Sequence, residues 1–76
     1  MARMWEGVAA EGRYEEAVVW LRAQRAASPA DRAEAFGDPE QGRLVLVTWW
    51  PGEPGPDPVP PARLLTRAHG WSFTVL

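Results

Sequence analysis

Hydrophobic and polar positions alternate along much of this chain, and the pattern is clearest between Gly42 and Pro51. The enclosed segment, residues 43–50, is rich in β-branched and aromatic residues, so it predicts a strand. Since successive side chains of a strand point to opposite faces, one face carries Val45, Val47 and Trp49, and the other carries Leu44, Leu46, Thr48 and Trp50. Both faces are mainly apolar, which predicts a central strand covered on both sides.

The other segments predict three more strands and two helices. Residues 3–10 alternate as a first strand that is apolar on both sides apart from Glu6. Apolar residues at helical spacing predict a helix over residues 14–27, ended by Ser28-Pro29. The mixed polarity of residues 31–36 predicts an edge strand joined to the central strand by a hairpin. Finally, residues 62–68 allow two turns of helix, and residues 71–75 alternate as a last strand.

Six prolines lie within residues 51–61. Proline cannot continue a helix or an inner strand, so this segment predicts a stiff, extended connector on the surface. A polyproline ligand for a partner domain is the alternative interpretation. We favour the connector, which is the commoner role of such segments.

The element order β-α-β-β-(α)-β predicts an α+β, ferredoxin-like fold in which residues 1–76 form one domain. In that topology the first and third strands occupy the middle of a four-stranded antiparallel sheet. These are the two strands whose faces are both apolar. Because the helices cover one face of the sheet, we expect a second copy to cover the other, giving an obligate homodimer.

Composition excludes several classes of function. The chain has no cysteine and one histidine, so no disulfide, metal site or cofactor is predicted. Its net charge is −2, and its arginines are interleaved with acidic residues, so we expect no nucleic-acid partner. No apolar run approaches the length that spans a membrane, and no secretion signal is recognisable. We therefore expect no membrane partner and a cytoplasmic location.

Glu6 and His69 are the candidate catalytic residues. A carboxylate between apolar neighbours can act as a general base, and an imidazole can act as a general acid or base near neutral pH. The structural alternatives are an ion pair of Glu6 with Arg3, Arg43 or Arg67, and a helix-capping role for His69. Five tryptophans are unusual in a chain of this size; most are expected in the core or an interface. Tyr14, Trp49 and Trp71 are the candidate substrate-binding residues.

Three short motifs carry a resemblance: Met4–Gly7 (MWEG), Glu11–Arg13 (EGR) and His69–Phe73 (HGWSF). Together with the element order, they resemble a small bacterial branch of the dimeric α+β barrel proteins, in the antibiotic-biosynthesis-monooxygenase-like (ABM-like) group. The resemblance implies two sheets packed face to face and a pocket between each sheet and its helices. In that group, some members are cofactor-independent oxygenases of aromatic polyketides, and others degrade haem with an Asn-Trp-His set. This chain contains no asparagine.

Two functions are therefore expected. The first is a homodimeric ABM-like protein of secondary metabolism that acts on a planar hydrophobic metabolite. Its chemistry would be cofactor-independent monooxygenation, or isomerisation or cyclisation by proton transfer. The second is a non-catalytic dimer that binds a ligand or a protein and is accessory to a biosynthetic enzyme.

Overall fold

The computed structural model describes all residues from Met1 to Leu76. Its elements in chain order are β1 (Ala2–Ala9), α1 (Tyr14–Ala27), β2 (Arg32–Asp38), β3 (Arg43–Trp49) and β4 (Leu65–Phe73). The four strands form one antiparallel sheet in the order β2-β3-β1-β4. The α+β class, the antiparallel sheet and the central places of β1 and β3 are confirmed.

Helix α1 has the bounds that its sequence predicts. Acidic Glu15 and Glu16 lie in its first turn and Arg25 in its last, which suits the helix dipole. Ser28 precedes a proline and is extended, with φ −65° and ψ 132°, so the helix ends there. This single helix lacks the length and the apolar character needed to cross a membrane.

The core lies between α1 and one face of the sheet. Ala17 and Leu21 are fully covered, one helical turn apart, and they face the sheet. The indoles of Trp5 and Trp20 meet edge to face at 5.7 Å. The buried apolar residues are Trp5, Ala9, Ala17, Leu21, Leu44, Leu46 and Leu64. All of the buried β3 positions are those that alternation places on this one face.

The second helix, predicted over residues 62–68, is not formed. Residues 62–64 make a turn, and β4 begins at Leu65 and runs to Phe73. A helix of two turns is marginal by itself. As part of β4, residues 65–68 instead pair with Gly7–Ala9, and β4 as a whole pairs with β1 along nearly its whole length, so the backbone groups on that edge of β1 find partners.

The proline arm, defined as residues 51–61, contains no helix or strand. It packs on the α1 side of the sheet, where Arg3 donates from Nε and Nη2 to the two carboxylate oxygens of Asp57, at 2.9 and 2.7 Å. These hydrogen bonds raise the pKa of the Arg3 guanidinium. A Cβ at Gly70 would lie 2.8 Å from both side chains. The arm therefore takes the place of the missing second helix.

The face of the sheet away from α1 carries no helix, and we call it the open face. It consists of alternate residues of all four strands: Arg32, Glu34, Phe36 and Asp38 of β2; Arg43, Val45, Val47 and Trp49 of β3; Ala2, Met4, Glu6 and Val8 of β1; and Arg67, His69, Trp71 and Phe73 of β4. None of these residues is buried in the single chain. Nine of the sixteen are apolar, so the composition of the open face resembles that of one side of a hydrophobic core.

Candidate functional site

Glu6 and His69 are direct partners in the ladder between β1 and β4. Residues paired in this way have Cβ atoms about 4.5–5.5 Å apart and point to the same side of the sheet. Both side chains therefore project from the open face. The two candidate catalytic residues lie side by side, one on a central strand and the other on an edge strand.

Three aromatic rings follow one another along β4. The imidazole of His69 stacks on the indole of Trp71, with ring centres 5.1 Å apart and an angle of 23° between the planes. Trp71 in turn meets Phe73 edge to face at 6.2 Å. Such pairs contribute about 0.5–1.5 kcal/mol each beyond area burial. The stacking orients the imidazole and leaves apolar ring surface next to Glu6.

Trp49 shares the open face but lies apart from this group. It pairs with Ala2, four residues along β1 from Glu6, a distance of roughly 13 Å at the rise of a strand. The guanidinium of Arg32 lies over its ring, 4.7 Å from the ring centre. This cation–π contact was not foreseen from the sequence, because it depends on the register between β2 and β3.

Tyr14 lies on the opposite side of the sheet from Glu6 and His69. It begins α1, and its hydroxyl occupies the space that a Cβ of Gly37 would fill. There it lines a cleft of about 370 Å³ between α1 and β2, whose other lining residues include Val18, Leu21, Arg22, Arg25 and Leu44. The five predicted site residues thus fall into three places, and Glu6, His69 and Trp71 form the one compact group.

No ion pair or side-chain hydrogen bond reaches Glu6 or His69. Arg3 lies on the α1 side with Asp57, and Arg43 pairs with Asp38 at 3.4 Å. Arg67 is on the open face two residues before His69, opposite Val8 rather than Glu6. The ion pairs weighed for Glu6 are therefore not formed. His69 caps no helix, because it lies within β4.

Comparison with known proteins identifies no relative of this chain. No protein-family model matches the chain, and no curated protein or solved structure shows significant similarity to it. The resemblance to the ABM-like group thus rests on the three short motifs and the element order. No group of three or more carboxylate and imidazole side chains is placed to hold a metal ion.

Proposed function

We propose that the chain works as a homodimer in which two open faces pack against each other, as in a dimeric α+β barrel. The composition of that face supports this arrangement. Four strands of about seven residues present a face of roughly 19 Å by 23 Å. Two such faces in contact would bury on the order of 1,000 Å² in total, the lower limit for a specific interface.

Within this dimer, Glu6, His69 and Trp71 would form a site for acid–base chemistry on a planar hydrophobic metabolite. The observation that carries the proposal is the direct pairing of Glu6 with His69 beside the stacked ring of Trp71. Because β4 is an edge strand, His69 and Trp71 would lie at the rim of the interface. A substrate could enter there and stack on the indole, while the partner sheet shields Glu6 from water.

The reaction class that needs only these groups is a proton-transfer isomerisation or cyclisation. For isomerisation, the Glu6 carboxylate takes a proton from a carbon next to a substrate carbonyl. His69 gives a proton to the carbonyl oxygen, and an enol forms. Glu6 then returns its proton to a different carbon of the conjugated system, and His69 recovers a proton from the enol hydroxyl. Both side chains end as they began, and the product is an isomer of the substrate.

Cofactor-independent monooxygenation, which the ABM-like resemblance implies, is the second chemistry of the same site. It would use molecular oxygen as co-substrate: Glu6 would take a proton from a substrate methylene, and oxygen would add at that carbon to give a hydroperoxide. Loss of water would then leave a carbonyl, so the substrate itself supplies the electrons. We place it after isomerisation because the acid–base pair accounts for proton transfer without another reactant.

The test uses planar aromatic ketones and phenols, first ranked by thermal shift, because a ligand that binds the folded protein raises its melting temperature. Each hit is incubated in D₂O with the protein, and deuterium uptake at carbon is followed by NMR. We expect uptake catalysed by the wild type and lost in Glu6→Gln and His69→Gln. Glu40→Gln, the same change at an exposed turn position outside both candidate sites, should retain it. Equal uptake by wild type and Glu6→Gln would contradict the proposal.

A second candidate function is ligand binding without catalysis, in the cleft between α1 and β2. The observation that favours it is the volume of about 370 Å³ with an apolar floor, two arginines and the Tyr14 hydroxyl at its sides. Arg25 is engaged by Glu34 at 3.6 Å, whereas Arg22 has no ion pair. A planar molecule with one carboxylate would fit this set of groups.

The two candidates are distinguished by which variants change ligand binding. For a ligand of the cleft, Arg22→Glu should abolish the thermal shift, while Glu6→Gln leaves it unchanged. A ligand of the open face would show the reverse pattern. A non-catalytic dimer accessory to a biosynthetic enzyme would give the first pattern and no deuterium uptake.

A further inference from the structure

The proline arm has a backbone shape that its sequence largely determines. Every residue from 53 to 61 is a proline or precedes one. Proline fixes φ near −65°, and a residue before proline is held in the extended or polyproline II region. The segment therefore favours extended backbone of the polyproline II type, a left-handed helix with three residues per turn.

Solvent exposure along the arm repeats with this period of three. Within residues 53–60 the exposed positions at steps of three are Glu53, Pro56 and Val59, whereas Pro54, Asp57 and Pro60 are half-buried. Pro61 is exposed outside this period, and exposed Ala62 begins the turn over residues 62–64. Val59, in the middle of the arm, is 85% exposed, so its side chain is available to a partner. One ridge, from Glu53 to Val59, thus faces solvent over about 19 Å at the rise of polyproline II.

The arm is anchored at both ends and in its middle. Before the arm, the amino group of Met1 donates to the Trp50 carbonyl oxygen at 2.7 Å, and the Trp50 N–H donates to the Met1 carbonyl oxygen at 2.8 Å. Asp57 is held by Arg3, and after the arm Leu64 is buried. Because the exposed ridge is already ordered, a partner that binds it loses little conformational freedom.

Arg63, just beyond the ridge, has a backbone conformation that favours glycine. Its φ is +67°, the one positive value at a non-glycine residue in this structure, and such residues are strained. The guanidinium is exposed and forms no ion pair or hydrogen bond. Glu53, at the other end of the ridge, is also exposed and unpaired. The ridge therefore carries opposite free charges at its two ends.

From these features we infer that the exposed surface from Glu53 to Arg63, formed by the ridge and the turn that follows it, is a docking surface for a polyproline-reading protein domain. The partner's groove would be lined by aromatic side chains that accept Pro56, Val59 and Ala62. The rim of this groove would be acidic next to Arg63 and basic next to Glu53. This charge pattern would set the direction in which the segment lies in the groove. This surface lies away from the open face, so the inference does not depend on the proposed dimer or its chemistry.

The test is an NMR titration of the ¹⁵N-labelled chain with purified SH3, WW and EVH1 domains as probes. We expect at least one domain to give saturable shifts at the amides of Val59, Ala62 and Arg63. Val59→Asp should weaken binding about tenfold or more, as loss of a central apolar anchor does. Val19→Asp, which changes an exposed valine of α1 in the same way, should leave affinity unchanged.

Arg63→Gly supplies a second test whose two readouts move in opposite directions. Glycine adopts the positive φ without strain, so the melting temperature should rise. Affinity for the probe domain should nevertheless fall, because the charge that meets the acidic rim is lost. Absence of shifts at residues 59–63 with every probe would overturn the inference. So would equal loss of affinity in Val19→Asp, or wild-type affinity in Arg63→Gly.

Discussion

Asp57 holds Arg3 in a two-pronged ion pair that joins residues 54 positions apart in the chain. The pair fastens the proline arm to the first strand, and Arg3 also donates to the Ser72 hydroxyl of β4 at 3.1 Å. About a quarter of each side chain remains exposed. Through Arg3, the arm is therefore joined to both β1 and β4.

Breaking this pair should loosen the arm without unfolding the sheet. We expect Asp57→Ala to lower the free energy of unfolding by about 1 kcal/mol, since bidentate but partly exposed pairs are worth little more. Urea denaturation measures the change, and the NMR order parameters of the Gly55 and Val59 amides should fall. Glu40→Ala, at an exposed turn position, is the control. A loss of cooperative unfolding in Asp57→Ala would show that the arm supports much more of the core than its contacts indicate.

Gly70 should not tolerate a larger residue. A Cβ there would stand 2.8 Å from the Arg3 Nη2 and Asp57 Oδ2 atoms and 3.1 Å from the Met4 carbonyl oxygen. Gly70→Ala is expected to cost about 1–3 kcal/mol, the range for overpacking. Gly52→Ala is the matched control, because a Cβ at Gly52 meets nothing within 4 Å. Equal stability of the two variants in urea denaturation would show that the Arg3–Asp57 pair moves aside easily.

The open face gives a prediction about assembly. If two copies pack through this face, Val47→Asp places a charge without a partner inside the interface, and the dimer should dissociate or unfold. Val19→Asp changes a valine that is 67% exposed on α1 and should leave assembly intact. Sedimentation velocity at micromolar concentration measures both variants. A wild-type chain that sediments as a folded monomer would rule out the dimer.

The first turn of α1 gives a prediction about pH. The guanidinium of Arg13 donates to the Glu16 carboxylate, which lowers the pKa of Glu16. A carboxyl group with a lowered pKa stabilises the folded state above its unfolded-state pKa. That contribution is lost as the pH falls through the folded-state value. NMR titration should therefore place the pKa of Glu16 below the ordinary value of a glutamate, and Arg13→Ala should raise it towards that value.

The sequence predicts those elements whose signals are local. The dipole-matched charges and the Ser28-Pro29 stop delimit α1, and alternation correctly divides the two faces of β3. The start of β4 could not be obtained in the same way, because residues 62–68 suit either a short helix or a strand. What decides between them is the unpaired edge of β1, which is a tertiary requirement.

The candidate site was predictable only in part, because its geometry also depends on how the strands pair. The residue types identify Glu6 and His69 as candidate acid–base groups, but their direct pairing depends on the register between β1 and β4. That register shifts between Val8 and Ala9, and no local sequence pattern predicts the shift. Tyr14 lies apart from these residues because α1 covers the other face, and Trp49 because its partner Ala2 is four residues along β1 from Glu6. Neither separation can be obtained from residue type alone.

The replacement of a helix by the proline arm also affects the unfolded chain. A conventional helical segment must give up much backbone freedom on folding, at roughly 1–2 kcal/mol per residue. Residues 53–61 have little of that freedom to lose, because their prolines restrict the torsion angles before the chain folds. The arm therefore lowers the entropic cost of ordering this part of the chain. In a domain of only 76 residues, this lower entropic cost compensates in part for the limited apolar area that the small core can bury.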